Sequence, residues 1–213
     1  MNPATQSLQT SAMPPAAVTG ADEARHGGSY PSHLIETIRL RDGACLTIRP
    51  IRGSDYRLEL DFIRGLSARS AYQRLLSPRK LRADEVQRLV NIDYTRELAL
   101  IATVEVDGAV RQVGVARYVP EADGASCDFA IVIADAWQGR GLGEQLLRAL
   151  LRAGARAGVP ALTGLTLSAN EAMRALARKV GFALARDPHD ATVVQLRMPL
   201  QRLVPPAADA PRR

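Results

Sequence analysis

The short stretch from 138 to 143 has the composition of a site that binds an anion. Its sequence is QGRGLG, so glycines at every second position separate larger residues. Such a segment can turn tightly and bring backbone N–H groups close to a ligand. At the first turn of a helix these groups share one concavity at the positive end of the helix dipole. The pattern therefore favours a pyrophosphate ligand, with Arg140 available for a charge-assisted contact.

Two better-known phosphate motifs do not fit this loop. A P-loop requires a Lys after its last glycine, and no Lys follows Gly143. The dinucleotide fingerprint GxGxxG has another glycine spacing and opens a βαβ unit, whereas the segments before this loop predict an antiparallel meander. A glycine-rich turn alone is also compatible with an ordinary tight connection from a strand to a helix.

The elements around the loop are a strand before it and a long helix after it. Residues 127–134 are mostly apolar, which predicts a strand. Leucines at helical spacing predict an amphipathic helix over 141–157, ended by Gly158 and Pro160; they are Leu142, Leu146, Leu147, Leu150 and Leu151.

The rest of the chain alternates between strand and helix patterns. Strands are predicted at 45–49, 97–106, 113–119, 161–167, 182–185 and 191–198. Helices are predicted after Ser54 or Asp55, after Ser67, over 83–92 and over 170–180. The Asp107-Gly108 pair is typical of a hairpin turn. We therefore expect an α/β (α+β) fold with a mixed, mostly antiparallel central sheet and helices on both faces.

Composition narrows the class of protein. The chain has 213 residues, 46% of them apolar, which suits one domain; we place it at 35–202, between disordered segments at 1–34 and 203–213. No apolar run approaches the ~20 residues of a membrane span, and no signal peptide is evident, so we expect a cytoplasmic protein. Two cysteines and three scattered histidines lack the spacing of a metal site, so no metal is expected.

The formal net charge of +6 comes almost entirely from arginine. Nucleic-acid binding is not expected, because there is no basic run and aromatic residues make up only 4% of the chain. A basic surface also suits a polyphosphate ligand.

Two motifs in order resemble the GNAT superfamily of N-acetyltransferases. Residues 138–143 match its Q/R-x-x-G-x-G/A signature, and Asn170, Leu176 and Gly181-Phe182 resemble its NxxAxxLxxxxGF helix. The resemblance spans roughly 44–199. Within the family, the segments FIRGLSARSAYQRLLSP, VNIDYTRELALIA and CDFAIVIADAWQGRGLG look like the acetyltransferase domain of bacterial Pat-type protein lysine acetyltransferases.

This resemblance implies direct transfer of an acetyl group from acetyl-CoA to an amine in one ternary complex. The backbone of the strand before the loop would pair with the pantetheine arm, through Ile131, Val132 and Ile133. The loop would hold the pyrophosphate, through Gln138, Gly139, Arg140, Gly141, Leu142 and Gly143. Asn170 would hydrogen-bond the pantetheine or shape its channel; a plain helix N-cap is the other reading of this residue.

The resemblance also suggests where the proton of the acceptor ammonium goes. Pat-like domains commonly have Glu at the position of Asp128, so Asp128 is the first candidate for the general base, acting directly or through a water. A solvent-facing Asp at a strand end is the alternative, with Glu105 and Glu97 as fallback bases. The Tyr that many family members use as general acid is replaced by Ala177, which leaves water or Tyr94 for that role.

The acceptor is left open between a protein lysine, which the Pat resemblance favours, and a small amine. A GNAT fold that senses acyl-CoA without catalysis is a further alternative. The resemblance implies acetyl-CoA as co-substrate and allows a homodimer, and nothing in the sequence predicts a membrane partner.

Overall fold

The computed structural model describes residues 29–75, 81–122 and 124–201. Of the predicted disordered segments at 1–34 and 203–213, residues 1–28 and 203–213 lie outside these ranges. Residues 29–34, which we also expected to be disordered, contain a 3-10 helix at Ser32–Leu34, and the Tyr30 hydroxyl donates to the carbonyl of Pro50 at 3.0 Å. The packed structure therefore begins nearer the N-terminus than the sequence pattern indicates.

Eight strands and five α-helices make up the described part of the chain. In chain order they are β1 (Glu36–Arg39), β2 (Cys45–Pro50), α1 (Tyr56–Gly65), α2 (Ala68–Leu75), α3 (Ala83–Val90), β3 (Leu98–Val106), β4 (Ala109–Pro120), β5 (Cys127–Ile133), α4 (Leu142–Arg156), β6 (Ala161–Leu167), α5 (Glu171–Val180), β7 (Ala183–Arg186) and β8 (Val193–Pro199). No helix in the described ranges is long and apolar enough to cross a membrane.

The strands form one sheet in the order β1-β2-β3-β4-β5-β6-β8-β7. Every neighbouring pair is antiparallel except β5 and β6. The connection between these two strands contains α4, as a parallel crossover requires. The sheet confirms the predicted mixed, mostly antiparallel architecture.

The two faces of the sheet carry different helices. Leucines along one stripe of α4 are fully buried against the first face, where α5 also packs through Ala177 and Val180. On the second face, Phe62 of α1 and Val90 of α3 pack against Ile101 and Val132. Alternate residues of β5 point into the hydrophobic cores on the two faces of the sheet, so Phe129 faces α4 and Val132 faces α1 and α3. Helices thus cover both faces, as predicted.

Strand β1 is the element that the sequence pattern did not predict. Its four residues, Glu-Thr-Ile-Arg, alternate between half-buried and exposed positions at the edge of the sheet. They pair with β2 alone, from Glu36 opposite Ile48 to Arg39 opposite Cys45. A strand with one neighbour and little apolar burial leaves too weak a hydrophobic pattern to be recognised in the sequence.

Candidate donor and acceptor site

Strands β5 and β6 separate soon after they begin to pair. Their register contains two positions, Cys127 opposite Leu162 and Asp128 opposite Thr163. Beyond these positions β5 continues along β4 as far as Ile133, while β6 continues along β8. A gap therefore opens within the sheet, with the C-terminal half of β5 as one wall.

A glycine and a phenylalanine meet at the point where the strands part. A Cβ at Gly164 would lie 2.9 Å from the ring of Phe129 and 3.0 Å from its carbonyl oxygen. The Phe129 ring also packs on Phe182, with ring centroids 4.8 Å apart. Gly164 is therefore required for Phe129 to lie close against β6 at the branch point.

The backbone of β5 presents hydrogen-bonding groups to this gap. The N–H of Ala134 donates to the carbonyl of Val113 in β4 at 2.9 Å. Because these groups alternate in direction along a strand, Val132 also directs its backbone to β4, whereas Ile131 and Ile133 direct theirs to the gap. Of the three strand residues expected to contact pantetheine, two thus have suitably directed backbone groups.

The loop after β5 has the open N–H groups that an anion site needs. The backbone N–H groups of residues 139–144 have no hydrogen-bond acceptor within the described ranges. Gly139 and Gly141 have φ values of 73° and 90°, a left-handed conformation that favours glycine. Gly141 is the N-cap residue of α4, so these amides lie at the positive end of a 15-residue helix. The local geometry has the properties of an anion-binding turn.

Arg140 is held by partners outside the loop. Its Nε donates to Oδ2 of Asp42 at 2.5 Å, and its guanidinium lies 4.1 Å from the centre of the Trp137 ring. The hydrogen bond from Arg140 holds the pKa of Asp42 below its usual value. The turn between β1 and β2 is thereby attached to the loop, a contact that the sequence pattern did not reveal.

Gln138 ties the loop to β5 and to α2. Its Nε2 donates to the carbonyl of Ile133 at 2.9 Å and to Oγ of Ser70 at 3.1 Å. The side chain therefore points back toward the sheet and leaves the adjacent loop amides uncovered. Leu142 is fully buried in the α4 core, so only its backbone is available to a ligand.

Asp128 lies on β5 at the last position where β5 and β6 pair. The side chain is half-buried, and burial raises its pKa from 3.8 to about 6, with Glu121 adding to the rise and the guanidinium of Arg74 opposing it. No described residue donates a hydrogen bond to its carboxylate. A carboxyl group with these properties can accept a proton near neutral pH.

The other candidate acids and bases are less well placed. Glu105 is exposed near the hairpin between β3 and β4. Glu97 lies just before β3, where burial raises its pKa and one carboxylate oxygen accepts from the N–H of Asp93. The hydroxyl of Tyr94 donates to the carbonyl of Ile51, and burial raises its pKa. The Tyr94 proton is thus committed to a structural contact.

Asn170 caps helix α5 at the far wall of the gap. Its Oδ1 accepts from the N–H of Met173 at 3.1 Å, and the residue is buried. This is the N-cap role considered from the sequence. The Nδ2 group donates to no described residue, so Asn170 can cap the helix and also offer a donor to a ligand.

A group of buried charges behind Asp128 was not predicted. Arg117 of β4 donates to the carbonyl of Leu89 at 2.7 Å, and Glu59 of α1 accepts from Gln112. Burial lowers the pKa of Arg117, while the carboxylates of Glu59 and Glu97 favour its charged form. Isolated charges on separate elements carry no spacing signal, so only the fold brings them together.

Comparison with known proteins agrees with this geometry. Residues 46–183 match the acetyltransferase (GNAT) domain family. The chain is 37% identical over 169 residues to an acetyltransferase of Pseudomonas aeruginosa, across 79% of this chain and 90% of that protein. It is 27% identical to the acetyltransferase Pat of Mycolicibacterium smegmatis, across 79% of this chain and 50% of that longer protein.

The fold comparison leads to the same group of proteins. The crystal structure of the GNAT domain of S. lividans PAT superposes with a TM-score of 0.73 and 27% identity, covering 80% of this chain and 99% of that domain. The family match spans the strand, loop and helix that form the branch point and the open amides. The chain therefore belongs to the GNAT family of acyl-CoA-dependent N-acetyltransferases.

Proposed function

We propose that the protein transfers an acetyl group from acetyl-CoA to the side-chain amine of a protein lysine. The observation that carries the proposal is the alignment of three features along β5. Asp128 lies at the branch point, the outward backbone of Ile131 and Ile133 follows it, and the open amides of residues 139–144 come next. A thioester with a long polar arm and a pyrophosphate needs such an order of contacts.

The donor contacts follow from this order. Ile131, through its N–H and carbonyl, and Ile133, through its N–H, would bind the pantetheine amides as a neighbouring strand does. The carbonyl of Ile133 already accepts from Gln138, and Val132 keeps β5 attached to β4. The amides of Gly139, Gly141 and their neighbours in the loop would bind the pyrophosphate. Asn170 would donate its Nδ2 to the arm from the opposite wall.

The proposed reaction is a direct nucleophilic substitution at the thioester. The neutral amine nitrogen forms a bond to the carbonyl carbon, the C–S bond breaks, and its electron pair leaves with the sulfur. Asp128 takes the proton lost by the ammonium group, directly or through a water. The nitrogen loses a second proton as the amide forms, and water passes this proton to the leaving thiolate. Because a thiol has a pKa of ~8.5, the thiolate leaves readily and no acid is needed at Ala177.

Two considerations favour lysine as the acceptor. The similarity to Pat proteins extends over the whole GNAT domain, including the segments around α2 and β5. A lysine side chain also suits the chemistry, because its amine has a pKa of ~10.4 and enters as a cation. The carboxylates of Asp128 and Glu121 near the branch point would attract that cation, and Asp128 would then deprotonate it.

A test combines two assays on the purified protein. Acetyl-CoA is offered with a panel of proteins and a panel of polyamines, amino acids and aminoglycosides, and CoA release is measured. The gain of about 42 Da on each product is assigned to a residue by mass spectrometry. Acetylated lysines support the proposal, and exclusive reaction of a small amine replaces it with the small-amine activity.

Calorimetry with acetyl-CoA separates the remaining outcomes. Binding without turnover on any amine would indicate an acyl-CoA sensor. The absence of binding would contradict the proposed donor site itself. The Asp128→Asn variant should bind acetyl-CoA as the wild type does while losing turnover, which separates the donor site from the base.

A further inference from the structure

Two serines at the start of α2 hold the carboxylate of Asp135, which follows β5. Ser67 donates to it from its backbone N–H at 3.0 Å and from its hydroxyl at 2.7 Å. The hydroxyl of Ser70, which is buried, donates to it at 2.8 Å. These hydrogen bonds hold the pKa of Asp135 below its usual value. We call Ser67, Ser70 and Asp135 the α2 clamp.

The α2 clamp is connected to the donor loop by Gln138. Its amide nitrogen bridges Ser70 and the carbonyl of Ile133, so one side chain contacts both the clamp and the end of β5. Ser67 also caps α2, because its hydroxyl accepts from the N–H of Ser70 at 3.2 Å. The start of α2 is thus fixed relative to the loop by interlocking hydrogen bonds.

The other end of α2 lies toward Asp128. The helix packs on β5, and its first turn is attached just beyond the end of that strand. Eight helical residues span about 12 Å, whereas the seven residues of β5 span about 23 Å. Helix α2 therefore runs back along β5 and brings its last turn about halfway toward the start of the strand. Arg74 lies in that last turn, and its guanidinium is the positive charge that acts on Asp128.

Few charged groups lie around Asp128 and Arg74. Asp128 faces Arg74 from α2 and Glu121 from the turn before β5, with the thiol of Cys127 beside it on the strand. Arg74 in turn faces Glu59 and Arg117, and its burial lowers its own pKa to about 10. Arg74 is therefore the one cation among the described residues that acts directly on Asp128.

We propose that the α2 clamp is a positioning device through which the donor loop sets the ionisation of Asp128 by means of Arg74. The catalytic meaning of this ionisation rests on the proposed function, since it assumes that Asp128 is the base. The ionisation itself is a property of the protein and can be measured without any substrate. Ser67, Ser70, Asp135 and Arg74 are positioning residues, because they act through Asp128.

The direction in which loss of the α2 clamp changes the pKa of Asp128 follows from electrostatics. A guanidinium near a carboxyl group favours the carboxylate and lowers the pKa, against the burial that raises it. Loss of the clamp lets the first turn of α2 move, which weakens the hold of Arg74 on Asp128. The pKa of Asp128 then rises, and a smaller fraction of the group is ionised at neutral pH.

The test measures the pKa of Asp128 by 13C NMR of its carboxyl carbon, assigned with the Asp128→Asn variant. Arg74→Met should raise this pKa above that of the wild type. The matched control is Arg69→Met, since Arg69 is an exposed arginine of the same helix, and it should leave the pKa unchanged. If Arg74→Met has no effect, the proposal is wrong.

The clamp is tested by the double change Ser67→Ala and Ser70→Ala, with far-UV circular dichroism to verify folding. The pKa of Asp128 should rise, whereas Ser54→Ala, at an exposed serine before α1, should not change it. Asp135→Asn is the milder variant. Loss of the negative charge of Asp135 can by itself only lower the pKa of Asp128. A rise in the pKa of Asp128 in this variant therefore reports movement of α2. An unchanged or lower pKa in both variants would overturn the role of the clamp.

Kinetics then relates the measurement to catalysis. In an active enzyme the acid limb of kcat/KM should move to higher pH in parallel with the NMR value. A rise of one pH unit in the pKa would reduce the rate about tenfold at acidic pH and little at pH 8.5. If no amine is acetylated, the proposed function fails, while the NMR result still decides the role of the clamp.

Discussion

Replacement of Asp128 by asparagine should separate the catalytic role of this residue from its effect on stability. The amide keeps the shape of the side chain and cannot take up the ammonium proton. A positioned general base contributes about 10²- to 10⁴-fold, so kcat should fall by at least about 100-fold. The Kd for acetyl-CoA should stay unchanged, because the proposed donor contacts are made by β5 backbone and the loop.

The same substitution should stabilise the folded protein above pH 6. In the unfolded chain Asp128 titrates near 3.8, and in the folded protein near 6. Between these values the folded state binds more protons than the unfolded state, so the free energy of unfolding decreases as pH rises through this interval. The difference corresponds to about 3 kcal/mol as an upper limit, because a half-buried carboxylate keeps some solvation.

Thermal unfolding at pH 8 and at pH 4 provides the measurement. At pH 8 the Asp128→Asn variant should unfold at a temperature higher than the wild type by up to about 10 °C, and at pH 4 the difference should shrink. The control is Asp61→Asn on the exposed side of α1, where a 3.6 Å ion pair with Arg57 contributes little. Full activity of the Asp128→Asn variant would refute the assignment of Asp128 as the general base. Equal stability at pH 8 would refute the desolvation argument.

Three further substitutions test the site and the branch point. Gly141→Ala places an L-residue at φ 90°, so the loop should relax and turn its amides away from the ligand. The Kd of acetyl-CoA, measured by calorimetry, should then rise about tenfold. Gly164→Ala drives a Cβ to within 3.0 Å of the Phe129 backbone, which should lower the free energy of unfolding in denaturant by about 1–3 kcal/mol. Arg140→Met removes the ion pair with Asp42 and a cation beside the loop, so acetyl-CoA should bind roughly fivefold more weakly at low salt and less so at high salt.

Matched controls decide each of these outcomes. Gly158→Ala imposes similar strain at φ 75° just after α4, and it should not change the Kd; equal Kd values for it and Gly141→Ala would contradict the amide site. Gly65→Ala meets nothing within 4 Å, so equal stability losses for it and Gly164→Ala would contradict the packing argument. A Kd that Arg140→Met leaves unchanged at low salt would remove that residue from the donor site.

Local patterns predicted the elements near the donor loop well. The helix after the loop was expected over 141–157 and lies at Leu142–Arg156, because five leucines on one stripe have a strong helical period. The strand before it was expected over 127–134 and lies at Cys127–Ile133. Both features depend on residues close together in the chain, which is what a sequence pattern records.

Contacts between distant segments could not be predicted in the same way. The pair formed by Asp42 and Arg140 joins residues 98 positions apart, and the bond from Ser67 to Asp135 joins residues 68 apart. Arg74 gave no signal, because one arginine in a short amphipathic helix is equally compatible with a solvated face. These side chains acquire their partners only when α2 and the β1–β2 turn pack against the sheet.

The parting of β5 from β6 leaves an open edge in the middle of the sheet rather than at its border. An open edge can pair with a strand of another chain, and proteins usually prevent this pairing with charges, prolines or a covering element. Here the stretch of β5 that β6 leaves unpaired is apolar, Phe-Ala-Ile-Val-Ile, so a bound donor would also cover this backbone edge. Concentrated protein without acetyl-CoA should therefore self-associate more readily than the saturated protein, a difference that light scattering can measure.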